Sequence, residues 1–137
     1  MLTEKEIMIG DWVYSMFSEH PCKVKGIEWT ESEYAFVNVS GVDGYKCIES
    51  LSPILITTDI LEKNGFEKMG EGRFLLENLE DNYWVKFYPK DTNYTCGGYN
   101  YIDLDCGCIS IREFPIEFVH QLQHVLRLCG IKKEIEL

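Results

Sequence analysis

Two histidines, His120 and His124, stand four residues apart in the segment IEFVHQLQHVLRLCG, residues 116–130. On a helix that spacing places both imidazoles on one face, which is what a helix offers a zinc ion. A zinc-protease helix adds a glutamate directly after the first histidine, as general base, and a third ligand downstream. Here Gln121 follows His120. An amide cannot accept a proton at neutral pH, so the pair reads first as a polar helix face. A metal-dependent enzyme built on His120 and His124 is the third-ranked reading.

The six cysteines offer less. Cys106-Gly107-Cys108, with Cys96 ten residues earlier, is the tightest group. Structural zinc sites use two pairs spaced C-x₂₋₄-C, and neither that spacing nor a redox C-x-x-C is present. If a strand begins at residue 108, Cys106 and Cys108 face the same side. Cys22, Cys47 and Cys129 each lie in an apolar pattern and read as small core residues.

No G-x-S-x-G occurs, and the glycines of GEG (70–72) and CGGY (96–99) lack the strand–loop–helix setting and the lysine of a phosphate cradle. Asp103 and Asp105 share a strand face, but a chain with 23 acids makes such pairs by chance. The expectation is a protein that is not an enzyme and needs no cofactor or metal.

The aromatics suggest a surface instead. Tyr83, Trp84, Phe87, Tyr88, Tyr94, Tyr99 and Tyr101 exceed what one face of a small sheet can bury. Some must stay exposed near Gly97-Gly98, where they suit a peptide or ligand. The expected interaction surface is Trp84, Tyr99 and Tyr101 with Glu117, His120, Gln121 and His124.

The elements that must position these residues follow from pattern. Gly10-Asp11 marks a turn into a strand within IMIGDWVYSMF (7–17). CKVKGIEW (22–29) alternates, with Cys22, Val24 and Gly26 on one face and Lys23, Lys25 and Ile27 on the other. YAFVNVSG (34–41) alternates too, with Phe36 as a candidate inward residue, and GYKCIESL (44–51) follows a VDG turn. Short strands at such spacing suggest a small barrel, and the opening looks SH3-like.

ITTDILEKNGFEK (56–68) reads as a helix of about two turns, capped by Thr57 or Thr58 and stopped by Gly65. GRFLLENL (72–79), NYWVKFY (82–88), NYIDLD (100–105) and CISIRE (108–113) read as an antiparallel meander, with EDN (80–82) a tight turn and TCGGY (95–99) a loop or bulge. Pro115 is placed for the first turn of a C-terminal helix. Phe118, Val119, Leu122, Val125, Leu126 and Cys129 form its apolar stripe. His120 and His124 then fall roughly 160° to either side of Leu122, away from the core. IKKEIEL (131–137) reads as a further short strand.

The expected fold is α+β. An SH3-like N-terminal β lobe (1–56) precedes an α+β lobe (57–137) of short helix, meander and amphipathic helix packed on the sheet, as two lobes or one unit.

Charge bounds the partners. The formal net charge is -10. Residues 1–56 carry 9 acids and 4 bases, residues 57–113 carry 11 and 6, and residues 114–137 carry 3 and 3. No basic run exceeds Lys132-Lys133, which disfavours nucleic acid and anionic membranes. The N-terminal residues lack the apolar core of a secretory signal, and no stretch reaches the roughly 20 apolar residues of a membrane helix. A cytoplasmic setting with reduced thiols is expected.

IGDWV…KVKGI, ITTDILEKNGFEK and EFVHQLQHVLRLCGIKKEIEL together resemble a family of small uncharacterised proteins from gut Bacteroidetes, often found near prophage or other mobile elements. Their order and spacing match over nearly the whole chain. In the family pattern VHQLQ is followed by Asn and aromatic residues, whereas His124 stands here in place of that Asn. The resemblance implies a setting and no activity, so no functional residue is carried over.

The leading expectation is a non-enzymatic interaction module of phage or mobile-element origin, with a protein partner or a second copy of the chain. The first alternative is nucleic-acid binding by the SH3-like lobe, through Lys23, Lys25 and Lys46 with Trp12 or Tyr14.

Overall fold

Among residues 2–3, 5–31, 34–90 and 98–137, which the computed structural model describes, ten strands and two α-helices form an α+β protein. The chain divides into two units, Met1–Leu55 with Phe118–His120, and Ile56–Glu117 with Gln121–Leu137. The TCGGY loop expected at 95–99 lies largely outside the described residues, as do Tyr94 and Cys96.

The first unit holds strands β1 (Trp12–Ser15), β2 (Cys22–Trp29), β3 (Ala35–Val39), β4 (Lys46–Cys47) and β5 (Leu51–Ser52). They pair antiparallel in the order β4-β3-β2-β1-β5, with a 3₁₀ turn (Ile48–Ser50) before β5. Gly10, at φ +94°, turns the chain into β1. Asp11 is fully buried, and its carboxylate accepts the Met8 N–H at 2.7 Å. Gly10 N–H donates to the Val24 carbonyl at 2.7 Å, which locks this corner onto β2.

Two expected side-chain directions are corrected. Ile27 packs against the same core as Cys22 and Val24. The register slips between Val24 and Gly26, and one extra residue in a strand reverses the alternation beyond it. In β3 the buried residues are Ala35, Val37 and Val39, while Phe36 lies half-buried on the other face. Asn38 shares that face and gives its Nδ2–H to the Gly44 carbonyl at 3.0 Å. Turning Phe36 inward would bury Asn38 as well, and a buried amide without its bonds is costly. Cys47, expected in a core, is exposed on the edge strand β4.

The second unit opens with α1 (Thr58–Lys63). Thr57 caps it, its Oγ1 accepting the Ile60 N–H at 3.3 Å. Gly65, at φ +87°, ends it, and the buried Phe66 returns its N–H to the Leu61 carbonyl. Strands β6 (Glu67–Lys68), β7 (Phe74–Asn78), β8 (Tyr83–Tyr88), β9 (Tyr101–Asp105) and β10 (Ser110–Pro115) follow as a meander in the order β10-β9-β8-β7-β6. Two cross-strand rows build its buried face: Phe74–Phe87–Ile102 and Leu76–Val85–Leu104. The turn at EDN is held by Asn78, whose Oδ1 accepts the Asp81 N–H at 3.0 Å, and by Asn82 at φ +54°.

The C-terminal helix α2 spans Val119–Leu128, and Pro115 is not in its first turn. Pro115 instead ends β10, opposite Tyr101. β10 is an edge strand, where a missing N–H need not break a ladder. Of the expected stripe, Val119, Leu122, Val125, Leu126 and Cys129 are buried, whereas Phe118 lies before the helix and is half-buried. The tail 131–137 is not a strand. Ile131 and Ile135 are buried, and the side chain of Asn64 holds the backbone of Glu136 through two hydrogen bonds. Among the described residues no helix is long and apolar enough to cross a membrane.

Candidate functional site

The residues expected to form one interaction surface fall into three settings. The first corrects the helix-face reading. His120 is buried, at 4% exposure, and its ring stacks on Phe118 with centroids 5.8 Å apart. Phe118–His120 group with the N-terminal unit, where Val119 N–H donates to the Ile54 carbonyl at 2.8 Å and Phe118 bridges Leu55. Helical period reports only one apolar side, and His120 is buried outside it. Gln123 is buried too, and His124 is half-buried.

The second setting is a cavity of about 280 Å³ that brings Tyr99, Glu117 and Gln121 together with Lys90 and Asn100. Asn100 frames it, its Oδ1 accepting the Lys90 N–H at 2.8 Å and its carbonyl the Ile116 N–H at 3.1 Å. Gln121 reaches back so that its Oε1 accepts the Glu117 N–H at 2.8 Å, much as a capping glutamine does at a helix start. That role accounts for an amide in the position where a zinc enzyme carries its base. Tyr99 meets Tyr101 edge-on at 6.4 Å, and Tyr101 stacks on Tyr88 at 4.5 Å.

Trp84 occupies the third setting, the sheet face opposite the buried rows. Its neighbours across the strands are Glu77 and Asp105. The Lys86 ammonium lies 4.9 Å from its ring centroid and the Arg112 guanidinium 5.1 Å. The half-buried indole is thus engaged by two cations of its own chain.

The lysines of the nucleic-acid reading are engaged separately. Lys23 lies over Trp12 at 5.1 Å and Lys46 over Phe17 at 4.9 Å. Among the described residues no group of three or more His, Cys, Asp or Glu side chains is placed to hold a metal ion.

Two features escaped the sequence. One is a pair of adjoining hollows in the N-terminal unit, about 230 and 410 Å³, which share Phe36, Cys47 and Glu49. Tyr34 walls one; Met16, Phe17 and Tyr45 wall the other. The aromatic excess read from the sequence lies in the second unit, and this surface depends on the phase of β3, which turns Phe36 outward. The other is a thiol pair. Cys106 and Cys108 lie in the turn between β9 and β10, where Gly107 stands at φ +92°, and Cys106 lines one cavity with Cys129.

Cavity linings show how α2 runs. Gln121 lies beside Tyr99 and Asn100, before β9, and Cys129 beside Cys106, just after it. The helix therefore lies along β9 in the same direction. Burial pushes the Cys129 thiol above its ordinary range, and the neighbouring Cys106 sulfur pushes it further. Thiolate is the reactive form. In fully reduced protein, iodoacetamide should modify the exposed Cys47 and Cys108 at least about tenfold faster than Cys129, as followed by peptide mass spectrometry. Equal rates would contradict the burial of α2's end.

Compared with known proteins, the chain matches no family model, no curated protein and no solved structure.

Proposed function

We propose that the chain is a non-enzymatic interaction module of phage or mobile-element origin, acting in the cytoplasm, and that its N-terminal unit is an SH3-like lobe taking an extended segment of a partner protein. The observation that carries this reading is the exposed apolar surface of that unit, with Met16, Phe17, Tyr34 and Tyr45 around its two adjoining hollows. Among the described residues, nine of the fifteen exposed large apolar side chains belong to it, including Met16, Phe17, Trp29, Tyr34 and Tyr45. Clustered exposed apolar surface is costly unless something covers it.

The SH3-like reading is supported by the sheet order, in which the first strand pairs with the last, and by the 3₁₀ turn before that last strand. The two hollows adjoin along Phe36 and Cys47. In an extended peptide alternate side chains lie about 7 Å apart on one side. Two of them can enter adjoining hollows, and the backbone can run beside the edge strand β4. Glu49 stands exposed at the shared rim, in a segment of 9 acids and 4 bases. The expected ligand therefore combines two apolar side chains with a lysine or arginine.

Selection of random peptides on the full chain tests this. Apolar-basic peptides should be enriched, and Phe17→Ala should weaken the best of them about tenfold or more. Gly26→Ala should do the same by another route. A Cβ there would sit 2.8 Å from the Tyr45 hydroxyl and push that wall of the hollow aside. Glu117→Ala should change nothing. Enrichment without sensitivity to Phe17 would sink the proposal.

A further inference from the structure

Cys106 and Cys129 are 23 positions apart in the chain, and in the fold both line one cavity. Cys106 opens the turn after β9, and Cys129 follows the last residue of α2. The Cys106 thiol gives its hydrogen to the Ile109 carbonyl at 3.7 Å. A cavity of about 260 Å³ lies against both, walled also by Asp81, Tyr83 and Lys132. That is room for a small oxidant, since a water molecule takes about 30 Å³. Cys106 is half-buried and Cys129 buried at 9% exposure, so the pair has one accessible and one sheltered member.

We propose that Cys106 and Cys129 form a redox-active dithiol that closes to a disulfide on meeting a hydroperoxide. The Cys106 thiolate attacks one oxygen of hydrogen peroxide. The S–O bond forms, the O–O bond breaks, and the departing oxygen leaves as water after taking the thiol's proton. The sulfenic acid so formed faces Cys129. The Cys129 sulfur attacks it, the S–S bond forms, and hydroxide leaves with the Cys129 proton as the second water. Two thiols and one peroxide thus give one disulfide and two waters, the thiols losing two electrons to the O–O bond. A small dithiol reverses the step by exchange, returning two electrons and two protons. The closed form ties the end of α2 to the hairpin turn and should raise the thermal midpoint by several degrees.

The experiment uses the full chain, reduced, freed of reductant and treated with one equivalent of hydrogen peroxide, then alkylated and digested with trypsin. The expected product is two hydrogen atoms lighter, with peptide 91–112 joined to peptide 128–132. Peptide 91–112 also carries Cys96 and Cys108, so fragment ions must place the link on Cys106. Dithiothreitol should undo it, Cys108→Ser should keep it and Cys106→Ser should abolish it. A link from Cys96 or Cys108, a link between two chains, or sulfinic acid at Cys106 with Cys129 still free would overturn the proposal. Mapping the wild-type chain decides the matter even if a variant fails to fold.

Discussion

Asn64→Ala should lower the unfolding free energy by about 2–4 kcal/mol, a large share of the roughly 5–15 kcal/mol that holds a domain folded. Asn64 follows α1 and is buried at 3% exposure. Its Nδ2 donates to the Ile60 carbonyl at 2.8 Å and to the Glu136 carbonyl at 2.8 Å, and its Oδ1 accepts the Glu136 N–H at 2.7 Å. One carboxamide thus closes the end of α1 and serves as the strand partner that the tail lacks. Alanine leaves two carbonyls and one N–H to find water in a part-buried place. Each lost bond costs about 0.5–1.5 kcal/mol, and more where the orphaned group stays dry. The tail should loosen with it, although Ile131 and Ile135 are buried. Urea titration followed by tryptophan fluorescence measures the loss, and hydrogen exchange over residues 131–137 should rise in parallel. A change below about 0.5 kcal/mol would mean the carboxamide is dispensable.

Asn64 also shows what a sequence hides. Its partner is 72 positions away, and nothing in NGFEK distinguishes an asparagine that ends a helix from one that also pins a distant segment. What was legible was local. Thr57, Gly65 and Phe66 announce a start, a stop and a return within ten residues, and each does so in the structure. The meander was legible because apolar residues alternate with turn residues between its strands, and the stripe of α2 because its period is helical.

Errors arose where a second surface intervened. The alternation of β2 reads straight through Gly26, but the slip in pairing with β3 turns Ile27 inward. Pro115 suits a helix start, yet an edge strand accepts it equally well. Helical period alone puts His120 on a wet face, because it reports one apolar side. It cannot report that the first turn packs with Ile54 and Leu55. The site residues divided along the same line. Tyr99, Glu117 and Gln121 share a cavity, while His120 is buried elsewhere. The thiol pair stayed hidden because two cysteines 23 residues apart meet only once α2 lies along β9.

Leu122→Ala should cost about 2–5 kcal/mol, while Leu128→Ala, six positions on along the same helix, should stay within about 0.5 kcal/mol of wild type. The two substitutions remove the same atoms and change helix propensity equally, so the difference isolates packing. Leu122 is 1% exposed at the centre of the stripe, whereas Leu128 is 77% exposed in the last turn. Its unit also buries the rows Phe74–Phe87–Ile102 and Leu76–Val85–Leu104. Removing three carbons there forfeits their transfer from water and leaves a void that close-packed neighbours fill only in part. Denaturant titrations of both variants, with unchanged slopes, give the two values. Equal losses would mean that Leu122 is not packed as its burial indicates. The cavities at the two ends of α2, and with them the meeting of Cys106 and Cys129, would then have to be drawn differently.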